Sequence, residues 1–309
     1  MTIRQTLINT NLSVFPLCLG GNVFGWSANQ EESFAVLDTY FEAGGNFIDT
    51  ADVYSEWKPG NQGGESETII GNWMKARGNR HEMVIATKVA KSSKRPGLSS
   101  NNIKAAIDDS LRRLQSDHID LYYSHEDDAT IPLEETLGAY GEIIEAGKVH
   151  LIGASNYSGD RLKEAAAISK AQNLPRYVAI QNQYNLLDRQ TFEKDPAPVL
   201  KELGIASLPY YGLARGFLTG KYRPGITVES ARAGGVVDYQ NDRGWAVLAQ
   251  LEKVAGELNT TLSAVALGWL RAHGSLPIAS ARTVEQMKEI LPIVELSTEH
   301  VAKLDAVSA

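Results

Sequence analysis

Apolar positions change their spacing repeatedly along the chain. Short runs such as Val84-Ile85-Ala86, or Val149 with Leu151 and Ile152, are apolar along most of their length. Strands of that kind belong to a parallel sheet covered on both faces. Between them lie longer segments with apolar residues three and four apart. Leu133, Leu137, Tyr140 and Ile144 form such a stripe, the pattern that lays a helix on a sheet.

The alternation starts after a predicted hairpin, Arg4 to Ile8 and Leu12 to Phe15, joined by the turn residues Asn9, Thr10 and Asn11. Strands are expected at Pro16 to Leu19, Asn46 to Asp49, Met83 to Lys88 and Ile119 to Ser124. Four more are expected at Val149 to Ala154, Val178 to Gln181, Ala206 to Tyr210 and Pro277 to Ala279. The helices between them are Glu31 to Ala43, Ser66 to Arg77, Asn101 to Leu114 and Leu133 to Ala146, then Asp160 to Gln172, Pro198 to Leu203, Leu262 to Ala272 and Val284 to Leu291. Eight strand and helix pairs favour an α/β fold of the (β/α)8 TIM barrel type, although periodicity alone also fits a doubly wound sheet. No linker or repeat divides residues 1–309, so one domain is expected. Tyr211 to Asp242 carries Gly, Pro and charge without strong periodicity and reads as one long loop after the seventh barrel strand. Loops of that length in compact domains are usually functional.

Composition removes several classes. A net charge of -7 and the lack of a basic run argue against a nucleic-acid binder. Cys18 is the single cysteine and has no internal disulfide partner, which points to a reducing compartment. Met1 to Phe15 lacks the apolar core of a secretory signal, and no stretch approaches the ~20 apolar residues of a membrane span. The expected location is the cytoplasm. The six histidines show no paired metal-ligand spacing, and no metal is expected from them.

Three successive strands end in polar residues. Asp49, with Tyr54 in the following loop, Lys88, and His125 converge on one rim if the strands form a parallel barrel, whose active site lies at the strands' C-terminal ends. Taken singly, each has an ordinary explanation: a cap, a packed ring, a solvated lysine, a core histidine. Together they compose a definite chemistry. An ammonium beside a phenol favours phenolate and lowers its pKa, a carboxylate keeps the ammonium charged, and the tuned phenol donates a proton to a developing alkoxide.

Phe47-Ile48-Asp49-Thr50-Ala51-Asp52-Val53-Tyr54, Ala86-Thr87-Lys88 and Asp120-Leu121-Tyr122 with His125 resemble the signatures of the aldo-keto reductases. So do Ile152 to Tyr157, Gln181 with Tyr184 to Leu187, Gly216 to Lys221 and Ala281-Arg282-Thr283, in the family order along essentially the whole chain. The resemblance implies a barrel closed at its base by the hairpin, a catalytic tetrad of Asp49, Tyr54, Lys88 and His125, and NADPH-dependent reduction of a small aldehyde or ketone, with NADH as the other cofactor. It assigns the nicotinamide amide to Ser155, Asn156 and Gln181, and the ring to Tyr210 or its neighbour Tyr211. The rest of the cofactor falls to Gly21, Asn22, Gly212, Leu213, Gly216, Lys221, Ser280, Arg282 and Gln286.

Thr283 and Gln286 have capping-box spacing. Arg282, beside them, suits the 2′-phosphate of NADPH. Two features depart from the family pattern: Glu126-Asp127-Asp128 follows His125 and brings carboxylates to the mouth, and Ile290 stands where an adenine-binding Asn is common. Trp26, Trp57 and Glu126 are expected around the substrate. The alternatives are a Schiff-base aldolase acting through Lys88, or a cofactor-sensing subunit with slow turnover, like resembling members that associate with ion channels.

Overall fold

The computed structural model describes residues 3–226, 228 and 233–309. Residues 1 and 2 of the segment read for a secretory signal, and residues 227 and 229–232 of the predicted loop, lie outside the described residues.

Each predicted strand and helix is present, with bounds shifted by a few residues. The elements are β1 (Gln5–Thr6), β2 (Ser13–Val14), β3 (Cys18–Gly20), α1 (Gln30–Glu42), β4 (Phe47–Asp49), α2 (Glu65–Arg77), β5 (Val84–Val89), α3 (Ser100–Leu114), β6 (Ile119–Ser124) and α4 (Leu133–Glu145). There follow β7 (Val149–Ser155), α5 (Gly159–Gln172), β8 (Tyr177–Gln181), α6 (Gln190–Lys194), α7 (Ala197–Leu203), β9 (Ala206–Ser207), α8 (Asp242–Glu257), α9 (Leu262–Ala272), β10 (Ile278–Ala279), α10 (Val284–Ile290) and α11 (Thr298–Ser308). Strands β3 to β10 are parallel, in the order β10-β3-β4-β5-β6-β7-β8-β9. The ring closes where the Leu276 N–H donates to Ser207 O at 2.8 Å and the Ile278 N–H to Pro209 O at 3.1 Å. This is the (β/α)8 barrel that the alternation predicts.

The β1–β2 hairpin closes the base. Leu7 and Val14 are buried in one cluster with Cys18, Phe47, Val84, Leu121 and Val178, which stand at or near the starts of the barrel strands. Asn46 fixes the hairpin by accepting from the Phe15 N–H at 2.9 Å and donating to Ser13 O at 3.0 Å. A second cluster, which includes Tyr40, Trp73, Tyr122, Tyr140 and Trp269, fills the layer between sheet and helices. No helix among the described residues is long and apolar enough to cross a membrane.

Two expectations need correction. The segment Tyr211 to Asp242 is not one loop: it carries 3₁₀ helices at Ala214–Thr219 and Ala233–Tyr239 before α8 begins. Turns of that kind are too short to print a helical period on the sequence. Helices α8 and α11 lie outside the eight predicted pairs and pack on each other and on α9. The α8 stripe of Val247, Leu248, Leu251 and Val254 is buried, so the signal existed but had no slot in an eight-pair count.

Beneath the rim a charged group is sealed between α2, α3 and β5. Glu67 is fully buried, accepting from Thr87 Oγ1 at 2.5 Å and Arg113 Nε at 2.6 Å. Arg113→Ala strands that carboxylate, and a broken buried pair costs about 3–5 kcal/mol. The expected result is a loss of that size in urea unfolding. Asp52, nearby, is 5% exposed and neither carboxyl oxygen has a hydrogen-bonding partner among the described side chains and backbone. Burial, and then the Glu67 charge, push its carboxyl up to about 8. The folded protein therefore holds this proton more tightly than the unfolded chain does. The resulting stability is complete below pH ~4 and is lost as pH rises toward ~8, on the order of 1 kcal/mol per pH unit. Asp52→Asn removes that slope, so thermal midpoints measured across this range fall less steeply than in the wild type.

Candidate active site

The parallel register sets Gly20 beside Asp49 and Asp49 beside Ala86, which brings the ends of β3, β4 and β5 to one rim. Lys88 Nζ lies 2.6 Å from Asp49 Oδ2, 2.7 Å from Thr50 O and 2.8 Å from Tyr54 OH. Its three N–H directions are all taken, as an ammonium requires. Tyr54 OH is 3.3 Å from Asp49 Oδ2, and Gln181 Nε2 crosses from β8 to donate to Asp49 Oδ1 at 2.6 Å. The His125 ring stands edge-on to Tyr54 with centroids 5.9 Å apart, and its buried Nδ1 has no hydrogen-bonding partner among the described residues. The four residues expected from three strand ends are thus together.

The proton balance differs from the expectation. Burial, and next the Asp49 carboxylate, raise the Tyr54 phenol well above its usual 10, where a lowered value is expected from the sequence. One ammonium shared among three acceptors does not offset the loss of water around a phenolate. Burial also lowers Lys88, with Asp49 pulling the other way. It takes His125 well below its usual 6.5, with help from Lys88 and Lys91, so this imidazole is neutral near pH 7.

A cavity of about 410 Å³ opens on Asp49 and Tyr54. It is lined by Asn22, Tyr210, Gly212, Leu213, Gly216, Lys221, Ser280, Arg282 and Gln286 of the expected cofactor residues, and by Trp26. Gly21, Ser155, Asn156 and Gln181 do not line it. Gly21 packs instead: its N–H donates to Asp49 O at 2.7 Å, and a Cβ there would stand 2.8 Å from Ser66 Oγ. Asn156, at φ 60°, donates to His125 O and Ser155 Oγ and accepts from Tyr210 OH at 2.8 Å. With Tyr210 it lines a second cavity of about 710 Å³. The predicted capping box is half formed. Thr283 Oγ1 accepts from the Gln286 N–H, but Gln286 Oε1 accepts from the Arg282 N–H rather than from Thr283.

Sequence reasoning missed Arg215 and Glu289, while Tyr211, expected beside Tyr210, also lines the wall. Arg215 stands 4.3 Å from the Tyr211 ring centroid in a backbone stretch where Tyr211, Ala214, Arg215 and Gly216 all have positive φ. Left-handed conformations in successive residues are costly and cluster at functional loops. The available signal was Gly212-Leu213-Ala214-Arg215-Gly216 itself, a cation between glycines. Arg215, Lys221 and Arg282 line the same cleft as Tyr54, against the two carboxylates Asp49 and Glu289. That fits a long anionic ligand whose reactive end reaches the phenol, as a nicotinamide dinucleotide does.

At the mouth, Trp26 and Trp57 meet edge to face with centroids 5.6 Å apart, and Trp57 stands 6.1 Å from Tyr54. Asn61 Nδ2 donates to Gly25 O and Ser55 O, which pins the two tryptophan-bearing segments together. The acidic run is not the unscreened patch that its sequence suggests. Glu126 pairs with Lys91 at 3.2 Å, Asp127 accepts from Arg161 at 3.0 Å, and Asp128 accepts from Leu98 N–H and Thr130.

The family model "Aldo/keto reductase family" matches residues 16–309. An uncharacterized oxidoreductase, YrpG, of Bacillus subtilis is 34% identical over 94% of this chain and 90% of its own length. Norsolorinic acid reductase B of Aspergillus parasiticus is 31% identical over 95% of this chain and 80% of its own. A probable voltage-gated potassium channel subunit beta of Oryza sativa is 31% identical over 98% of this chain and 95% of its own. Matched over nearly its whole length and folded as a barrel, the chain belongs to the aldo/keto reductase family and is an NAD(P)H-dependent oxidoreductase.

Proposed function

We propose that the enzyme reduces an aldehyde or ketone with NADPH, Tyr54 supplying the proton. The observation that carries this is the Lys88–Tyr54–Asp49 contact at the end of a cleft with three cations. A nicotinamide held in this cleft would supply hydride to the carbonyl carbon. As negative charge grows on the carbonyl oxygen, the Tyr54 hydroxyl gives up its proton, and the Lys88 ammonium 2.8 Å away stabilises the phenolate left behind. Asp49 keeps that ammonium charged, and Gln181 fixes the carboxylate's other oxygen. Neutral His125 offers one N–H to orient the carbonyl. Ser155, Asn156 and Gln181 then act chiefly by holding His125, Tyr210 and Asp49 in place. Arg215 covers one face of Tyr211, which supports Tyr210 as the stacking partner.

The Trp26 and Trp57 edges support a flat, apolar carbonyl compound as substrate. The enclosed Lys88 amine, 1% exposed and bonded three times, speaks against the Schiff-base alternative, which needs a free amine within reach of a carbonyl carbon. A cofactor-sensing subunit shares the cleft but not rapid turnover, and steady-state rates on a carbonyl panel separate the two.

Tyr54→Phe is expected to lower kcat for carbonyl reduction by about 10²–10⁴-fold, the range typical of general acid catalysis. NADPH binding, followed by cofactor fluorescence, stays near the wild-type value. Arg282→Ala is expected to raise KM for NADPH about tenfold or more, since a hydrogen bond to a charged group contributes about 1.5–3 kcal/mol. KM for NADH and both kcat values change little. Equal KM changes for the two cofactors would show that Arg282 does not read the 2′-phosphate.

A further inference from the structure

The spacing of the histidines conceals a cluster that the barrel assembles at the end opposite Tyr54. His118 precedes β6 and Asp120 is its second residue, so the two side chains share a face by the two-residue repeat of an extended chain. The register pairs Ile119 with Val149 and Leu121 with Leu151, which sets His150 directly beside Asp120. Leu121 and Leu151 take the barrel interior, leaving the three polar residues on the outer face. One ligand atom from each lies within 4.8 Å of the other two.

The free lone pairs converge. His118 Nδ1 is engaged by Asp117 Oδ1 at 2.6 Å, which leaves Nε2 directed toward Asp120 Oδ1 at 3.9 Å. His150 Nδ1 lies 3.7 Å from the same oxygen. Asp120 Oδ2 is already taken by Arg80 at 2.9 Å and by the Ile85 N–H at 2.8 Å, so Oδ1 is the oxygen left to offer. The imidazole rings are stacked at 4.6 Å, and the His150 side chain is 52% exposed, open to an arriving ion. Tetrahedral zinc with bonds of about 2.0–2.2 Å places neighbouring ligand atoms about 3.4 Å apart. The two separations to Asp120 Oδ1 exceed that by about 0.5 and 0.3 Å, and the two imidazole nitrogens lie within 4.8 Å of each other, so small side-chain rotations have to close the site around an ion. A carboxylate bonded to one ligand imidazole, as Asp117 is to His118, is the usual support of a metal site.

We propose that His118, Asp120 and His150 bind one late first-row divalent cation, with water completing the shell, and that the ion ties the starts of β6 and β7 together. Two imidazoles and a carboxylate suit zinc and its neighbours better than magnesium or calcium. The site lies at the closed end of the barrel, so its effect is on stability, not on turnover.

The test uses untagged protein stripped with EDTA and titrated with zinc sulfate. The expected result is one zinc per chain after desalting and a thermal midpoint raised by zinc and restored by EDTA. His150→Gln, at the most exposed ligand, weakens zinc binding at least tenfold, and His118→Ala/His150→Gln abolishes it, while both variants match the EDTA-treated wild type in circular dichroism. Cobalt in place of zinc gives a visible absorption band that the double variant lacks. Absence of stoichiometric zinc in the wild type, or undiminished binding in the double variant, as ligation at His273 or His300 would give, overturns the proposal.

Discussion

The buried ammonium of Lys88 is the constraint around which the rim is organised. A charge this enclosed is tolerated only with a counter-charge and filled hydrogen bonds, and the chain provides both from separate places. Asp49 comes from the neighbouring strand, Thr50 O from the turn after it and Tyr54 OH from the loop beyond. Gln181 reaches across from β8 to hold the far oxygen of Asp49. A one-residue slip in β4 or β5 turns these side chains to the other face of the sheet. The register of the barrel and the chemistry at its mouth are therefore one requirement.

Strain is distributed accordingly. Ser55, Ala90, Asn156, Tyr211, Ala214 and Arg215 have positive φ without being glycine, and all lie in segments that follow barrel strands at the cleft end. Gln115 and Asn173, by contrast, are ordinary left-handed helix ends. At the other end the hairpin is bound by Asn46 and by shared apolar burial. The base supplies rigidity, and the rim carries the strained conformations, two of which, at Tyr211 and Arg215, belong to residues that line the cleft.

What was legible in the sequence follows from this division. Strands buried on both faces announce themselves as apolar runs, so the residues terminating them, Asp49, Lys88 and His125, were placed by counting alone. Lys221 and Ser280 were reached only through likeness to a known family, Arg282 through that likeness together with its place beside a helix start, and the cavity wall includes all three. Properties that depend on who stands opposite were not legible. Glu126 reads as a free charge until Lys91 is found beside it, and Tyr54 reads as an activated phenol until its burial is known. The spacing of 118 and 120 alone does not announce their cluster with 150, since His150 joins them only through the pairing of two strands.

The raised phenol carries a consequence for how the site divides its labour. In the proposed reduction the Tyr54 phenol must hold its proton until hydride has begun to move, and burial beside Asp49 favours that protonated form. On the same proposal the phenol must then survive as an anion, and Lys88 Nζ lies 2.8 Å from its oxygen. Burial thus favours the acid at rest and the ammonium favours its conjugate base during reaction. Because the two influences come from different sources, apolar packing by Trp57 and His125 around the ring and the fixed charge of Lys88, neither has to be tuned at the other's expense.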